Sequence, residues 1–332
     1  MGCYINKLAV HFPNNILTND ELSSLFPEWD SSNIFEKIGI NERHFVSENE
    51  TALDLAVIAA ERVLENYDRY LIDFVILCTQ SPDYFLPTSA CIIQDKLGLR
   101  TNIGAFDYNL GCSGFIYGLA LSKGLIASNL ANNVLLIMAE TYTKHIHPND
   151  KGNRSIFGDA AAAVIISSCD VELILEFELG TDGRGRNNLI IPNGGMRNRY
   201  NPSNQDFQDE NNIARNNDYL YMNGPEIFNF TIEKIPSLVN ATLEKNKLTI
   251  ETVDYVIFHQ ANKYMLDYLR KKLKISPDKF YQNMENTGNT VSATIPIALK
   301  DAMEKGLVQK GSKVLLAGFG VGYSWGATII EI

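Results

Sequence analysis

Ile72-Asp73-Phe74-Val75-Ile76-Leu77-Cys78-Thr79-Gln80 and Val253-Asp254-Tyr255-Val256-Ile257-Phe258-His259-Gln260 read as one segment written twice, with Asp73 and Asp254 181 positions apart. Both are continuous apolar runs of the kind found in strands covered on both faces. A second echo, Val134-Leu135-Leu136 and Val314-Leu315-Leu316, recurs at an offset of 180. Any two buried strands look somewhat alike, but two pairs at nearly one spacing favour duplication. The unit is far longer than a solenoid repeat. The expected organisation is two similar α/β halves, 1–170 and 171–332.

Around these echoes, strands and helices alternate. Strands are expected at 72–78, 103–109, 133–138, 161–167, 253–258, 313–318 and 326–331. Helices are expected at 51–66, 88–97, 113–128, 225–246, 262–273 and 292–305. Such alternation predicts sheets covered by helices. A polar stretch at 193–218, rich in Asn, Asp and Arg, is too long for a simple connector. It reads equally as a lid or as a solvated insertion.

The 332 residues are 45% hydrophobic, enough for one large core or two packed halves. A net charge of −10 argues against nucleic-acid binding, which needs a basic footprint. No run approaches the length of a membrane span, and the N-terminus lacks a basic segment followed by an apolar one. Five scattered cysteines without a CxxC pair suit reduced thiols and a cytoplasmic setting. Cys78 and Cys91 read as core.

Four segments carry possible chemistry. In Asn109-Leu110-Gly111-Cys112-Ser113-Gly114, a strand ends, small residues allow a sharp bend, and a helix is expected to begin near Cys112. A thiol there meets the positive end of the helix dipole, which favours the thiolate. A buried core cysteine is the plain alternative. His259 stands where a buried strand ends, a position at which ligands collect in α/β proteins, or is a structural histidine. Asn286-Thr287-Gly288-Asn289-Thr290 opens a helix with natural capping residues. Gly318-Phe319-Gly320-Val321-Gly322-Tyr323-Ser324-Trp325-Gly326 is dense enough in glycine for the backbone to approach a ligand and point N–H groups at an oxyanion. His145-x-His147 lacks further ligands, so no metal site is expected.

Together, in this order, Gly-Cys112-Ser-Gly-Phe, His259-Gln-Ala-Asn, Gly-Asn289-Thr and the terminal glycine-rich segment resemble the β-ketoacyl-acyl-carrier-protein synthase III family. Gly39-Ile40-Asn41-Glu42-Arg43 and Phe157-Gly158-Asp159-Ala160-Ala161 resemble it too. The likeness runs from about residue 3 to 331. It implies a thiolase fold, two duplicated α/β halves in an αβαβα five-layered arrangement, and a homodimer. It implies decarboxylative Claisen condensation of an acyl-Cys112 intermediate with a malonyl-type thioester, in fatty-acid or secondary-metabolite biosynthesis. His259 and Asn289 would stabilise the enolate, and the N–H groups of Cys112 and Val321 would form the oxyanion hole. Phe157, Gly224, Phe228, Ala261 and Asn262 would bind substrate. No cofactor is implied; acyl-CoA or acyl-carrier-protein thioesters are substrates.

The sequence also departs from the family pattern. The Trp and Arg that hold the adenine of CoA match Asn33 and Lys151, so the planar stacking pair is lost. The Arg that helps dock the carrier protein matches Tyr264. Lys263, Arg270 and Lys274 can instead share the outer face of an amphipathic helix and steer an acidic acyl carrier protein. Leu86 stands where an aromatic from the partner subunit commonly closes the acyl pocket, so an acyl group larger than acetyl is expected. Near Thr79-Gln80-Ser81 no glutamate is present, which argues against aldol chemistry of the hydroxymethylglutaryl-CoA synthase kind. Two other readings remain open: acyl transfer from Cys112 to an alcohol or amine, and a non-catalytic assembly subunit.

Overall fold

A computed structural model describes residues 2–201, 203–209 and 214–332, the side chains of Ser31 and Asn33 excepted. Two five-stranded sheets organise it. The first contains β1 (Gly2–His11), β2 (Phe74–Cys78), β3 (Gly104–Tyr108), β4 (Asn133–Glu140) and β5 (Ala160–Cys169), in the order β1-β5-β4-β2-β3. The second contains β6 (Glu178–Thr181), β7 (Tyr255–Phe258), β8 (Phe280–Tyr281), β9 (Lys313–Gly320) and β10 (Ser324–Glu331), in the order β6-β10-β9-β7-β8. The helices are α1 (Asn19–Leu25), α2 (Ser31–Ile38), α3 (Ala52–Leu64), α4 (Ser89–Lys96), α5 (Gly114–Ala127), α6 (Lys151–Ile156), α7 (Gly224–Lys245), α8 (Lys263–Lys272) and α9 (Thr294–Glu304).

The two sheets repeat each other strand for strand. β2 lies parallel to β3 and β4, as β7 does to β8 and β9. β5 runs antiparallel to β4, as β10 does to β9. The echoed residues make equivalent contacts. Phe74 pairs with Val134, and Tyr255 with Val314. Asp73 Oδ2 accepts from Asn133 N at 3.1 Å, and Asp254 Oδ2 accepts from Lys313 N at 2.7 Å. Each Asp thus fastens the start of the neighbouring parallel strand.

Alternate residues of these strands face opposite layers, as a pleat requires. Ile76, Leu136, Ile257 and Leu316 join α5 and α9 in a central core. Val75, Leu77, Leu135 and Ile137 pack outward on α3 and α4, while Val256, Phe258, Leu315 and Ala317 pack outward on α7 and α8. The result is the five-layered αβαβα arrangement. α5 is apolar nearly all round, as befits a helix between two sheets.

One local expectation needs correction, and the structure adds detail to a second. Cys91 is exposed, because α4 turns Ala90 and Ile93 inward instead. The 193–218 stretch is largely exposed, as a solvated insertion is, but its described parts are not bare loop. Phe207–Gln208 pairs with Ala214–Arg215, and Arg215 bridges Asp150 at 2.7 Å and Asp209 at 3.0 Å. Asp150 is buried, so this pair fastens the stretch to the N-terminus of α6. Residues 202 and 210–213 lie outside the described residues.

Candidate active site

Cys112 lies in the bend between β3 and α5. The helix begins one residue later than expected, at Gly114, whose N–H donates to Gly111 O at 2.7 Å. The β9–β10 hairpin presses onto this bend. A Cβ on Gly318 would stand 2.6 Å from Cys112 O, and one on Gly320 would stand 3.0 Å from Cys112 Sγ. These close approaches explain the glycines better than any turn does. Ser113 and Ser324, both buried, share a 2.6 Å hydrogen bond across the two halves. Val321 forms the hairpin tip, 2.8 Å from where a Gly111 side chain would start.

The environment of Cys112 is apolar: it clusters with Phe157, Leu189, Leu220 and Val291, with Val321 packed against them. Burial pushes its thiol up to about 12, and the Glu140 carboxylate adds to the rise. This corrects the expectation of a lowered pKa, since desolvation outweighs what a helix N-terminus offers. The resting group is a thiol.

His259 follows β7 directly, and its N–H continues the sheet to Ala317 O at 2.8 Å. Its ring packs edge-on against Phe319, with centroids 5.8 Å apart. Burial lowers its pKa to about 3, so the ring is neutral at any ordinary pH. Nδ1 stands 2.8 Å from Thr294 Oγ1, which also lies 3.0 Å from Val291 O. Asn289 Oδ1 accepts from Val291 N at 2.9 Å. That bond fixes the amide and leaves Nδ2 as the donor toward the site. The helix itself starts at Thr294 after a short 3₁₀ turn, and no side chain caps it. Capping therefore does not account for Asn289. Asn289 also bridges to Phe157. Val291 is thus common to all three groups: it packs in the Cys112 cluster, its N–H orients Asn289, and its carbonyl engages the Thr294 hydroxyl behind His259.

Sequence reasoning missed a second set around Glu140. The loop at 79–81 holds no glutamate, yet the fold brings Glu140 to it from the end of β4. Its carboxylate is wholly buried. It accepts from Gln80 N at 3.2 and 3.1 Å, from Ser292 Oγ at 3.1 Å and, more distantly, from Ser81 Oγ at 3.4 Å. Burial raises its pKa to about 8. The available signal was a lone acid ending the apolar run Val134–Ala139. Tyr142, buried beside Cys112, donates to Gln80 Oε1 at 2.7 Å. The His145-x-His147 pair splits, His145 to Ser81 and His147 to Asp206. Among the described residues, no group of three or more His, Cys, Asp or Glu forms a metal-binding cluster.

The other expected residues fall into three places. Phe157 lines the Cys112 cluster, stacked obliquely on Tyr142. Gly224 opens α7 with free space beside it, and Phe228 packs against Tyr264 and Tyr268 of α8. Ala261 is buried, and Asn262 caps α8 by accepting from Met265 N at 2.9 Å. Asn262, Lys263, Tyr264 and Tyr268 line a groove of about 640 Å³ that α2 closes with Lys37 and Ile38. Leu86 joins none of these; with Tyr84 and Phe85 it is exposed, and it is 82% accessible.

The basic face of α8 is narrower than expected. Lys263 is exposed near the Phe35 ring. Arg270 is half-buried and donates to Ile275 O at 3.3 Å, so it serves the helix end. Lys274 lies beyond the helix with φ of 55°, and helical spacing does not govern its direction. A further cation lies beside an aromatic ring. The side chain of Asn33 lies outside the described residues, but Lys151 Nζ stands 5.5 Å from the Trp29 ring centroid and 2.7 Å from Glu28 Oε1. Trp29 lies in the irregular link between α1 and α2.

With this geometry in hand, known proteins give a consistent match. The family model described as 3-oxoacyl-[acyl-carrier-protein] synthase III matches residues 106–183, and its C-terminal companion matches 243–332. A β-ketoacyl-[acyl-carrier-protein] synthase III of Clostridium perfringens is 38% identical over 327 residues, covering 98% of this chain and 97% of the relative. A crystal structure of a 3-oxoacyl-(acyl-carrier-protein) synthase III superposes with a TM-score of 0.98 at 43% identity, covering both chains completely. The 3-oxoacyl-(acyl-carrier-protein) synthase of Burkholderia xenovorans gives 0.93 at 32% identity, covering 100% of this chain and 94% of that one.

Proposed function

The chain belongs to the 3-oxoacyl-[acyl-carrier-protein] synthase III family, and from that premise we propose how its residues divide the work. It is a thiolase-fold condensing enzyme of fatty-acid biosynthesis, a transferase. Its halves are 1–170, carrying the nucleophile, and 171–332, carrying the enolate-stabilising pair.

Cys112 takes the acyl group. Its sulfur bonds to the thioester carbon, the donor's carbon–sulfur bond breaks, and the thiol proton leaves with the departing sulfur. The N–H groups of Cys112 and Val321 receive the developing oxyanion. A malonyl-type thioester then enters. As carbon dioxide leaves, His259 and Asn289 donate to the thioester oxygen, which gains negative charge. The enolate carbon bonds to the acyl carbon, the acyl carbon–sulfur bond to Cys112 breaks, and the released thiolate takes a proton from water to re-form the thiol. This role needs the proton on Nε2, which requires the Thr294 hydroxyl to turn its hydrogen from Val291 O to Nδ1. The observation that carries the reading is the neutral His259 together with the Asn289 amide turned by Val291. Two neutral donors stabilise an enolate without a metal, and simple acyl transfer would need neither.

The donor is CoA or an acyl carrier protein. Trp29 and Lys151 offer an aromatic face and a cation for the nucleotide end of CoA. The groove of Asn262, Lys263 and Tyr264 offers the path inward, with Gly224, Phe228 and Ala261 beside it. Lys263, at the edge of that groove, gives the acidic carrier protein a basic approach. The exposed run Tyr84-Phe85-Leu86 supports a homodimer in which Leu86 reaches the partner's acyl pocket.

The test uses intact mass. Acyl-CoA and acyl-carrier-protein thioesters should add an acyl group to the wild type and not to Cys112→Ala. His259→Ala and Asn289→Ala should still acylate, yet release carbon dioxide from a malonyl thioester at least about 100-fold more slowly. A wild type that never gains mass would overturn the assignment of Cys112.

A further inference from the structure

The apolar cluster around Cys112 is interrupted at one place. Tyr142 is 4% exposed and packs in that cluster, yet it carries a phenolic oxygen. That oxygen donates to Gln80 Oε1 at 2.7 Å, and Gln80 Nε2 donates to Asn109 Oδ1 at 3.0 Å. The Gln80 amide lies directly against the nucleophile's bend, since a side chain on Gly111 would begin 2.7 Å from Gln80 Oε1. Gln80 is itself held in place, because its backbone N–H is bound to the Glu140 carboxylate.

The remaining hydrogen-bonding capacity is specific. A carboxamide nitrogen has two hydrogens, and Asn109 takes one. A phenolic oxygen retains acceptor capacity after donating. One spare donor and one spare acceptor therefore flank the Tyr142–Gln80 hydrogen bond, beside the bend that carries Cys112. A saturated chain lying over them would cover both without replacing their water, which is unfavourable. A hydroxyl satisfies both at once, because it donates and accepts. Sites that hydrogen-bond a substrate hydroxyl reject the analogue lacking it far more strongly than apolar pockets reject a missing methylene.

We propose that the acyl group received by Cys112 is short and bears a hydroxyl, and that Gln80 and Tyr142 select it. This rests on the assignment of Cys112 as the acylated nucleophile and deepens it by naming the substrate class.

The experiment is a competition. Butyryl, 3-hydroxybutyryl and 4-hydroxybutyryl thioesters, on CoA and on acyl carrier protein, are offered to the wild type in equimolar pairs. Intact mass then separates the acyl-enzymes by one oxygen. At least one hydroxylated isomer should label Cys112 about tenfold or more over butyryl. That ratio should fall toward one in Tyr142→Phe and in Gln80→Leu. Butyryl labelling that equals or exceeds both isomers would overturn the proposal, as would a preference that survives both substitutions. The wild-type comparison decides even where a variant does not fold. Absence of all labelling points elsewhere, to the Cys112 assignment itself.

Discussion

Cys112 and Ser292 occupy matching bends, each two residues before an inner helix, and they stand 180 positions apart. Their partners across the crossing also match: Gly320 ends β9 as Glu140 ends β4, again 180 positions on. The contacts are opposite in kind. Cys112 faces a residue with no side chain, so its sulfur looks onto bare backbone. Ser292 faces a carboxylate and donates to it at 3.1 Å. One copy of the duplicated crossing is left open for chemistry, and the other is tied shut. The tied copy also steadies the first, because Val291 and Thr294, on either side of Ser292, orient Asn289 and His259.

Gly320→Ala attacks the open crossing, and its effect should be the largest. The added Cβ would stand 3.0 Å from Cys112 Sγ and 2.9 Å from its Cβ. Displacing a reacting atom by a fraction of its own size is enough to cost about 100-fold in rate. The time course of Cys112 acylation by intact mass should show that loss while circular dichroism stays native. Acylation near the wild-type rate would mean that the bend gives way easily, and that the bare backbone at 320 is incidental.

Glu140→Gln tests the closed crossing through pH. Burial raises the folded pKa from 4.5 to about 8, so the folded state holds this proton more tightly than the unfolded chain does. The associated stability is fully present below about pH 4.5 and is lost as pH rises through 8. Urea unfolding of the wild type should therefore show stability falling by roughly 3 kcal/mol from pH 5 to pH 8. In Glu140→Gln the slope should shrink. Asp159, raised by burial to about 6, keeps part of it at the lower end. An unchanged slope would place the buried proton elsewhere.

The asymmetry between the crossings was half legible in the sequence. The duplication was visible because buried strands are continuous apolar runs, and Asp73 and Asp254 each cap a neighbour. Cys112, His259 and Asn289 were visible because their local motifs are dense and ordered. Glu140 was not, because one acid at a strand end says nothing of which loop it meets across 60 residues. The raised Cys112 pKa was not, because a helix start is local while desolvation is set by Phe157, Leu189 and Leu220, far along the chain.

The outer helices carry a gentler version of the same contrast. α4 follows β2 as α8 follows β7, yet their N-termini are capped differently. Thr88 makes no side-chain cap on α4; Asp107 reaches from β3 instead and accepts from Ser89 N at 2.6 Å and Ala90 N at 2.7 Å. α8 relies on its own Asn262. Two charge-assisted bonds should outweigh one neutral cap, so Asp107→Ala is expected to cost about 2 kcal/mol in urea unfolding, and Asn262→Ala about 1 kcal/mol. Asn262 has a second surface, on the groove beside Lys263 and Tyr264. Its substitution should therefore also raise the KM for the thioester, whereas Asp107→Ala should leave KM unmoved. Equal stability losses with neither KM changed would show that the capping residue of the second half serves only its helix, and that substrate enters by another route.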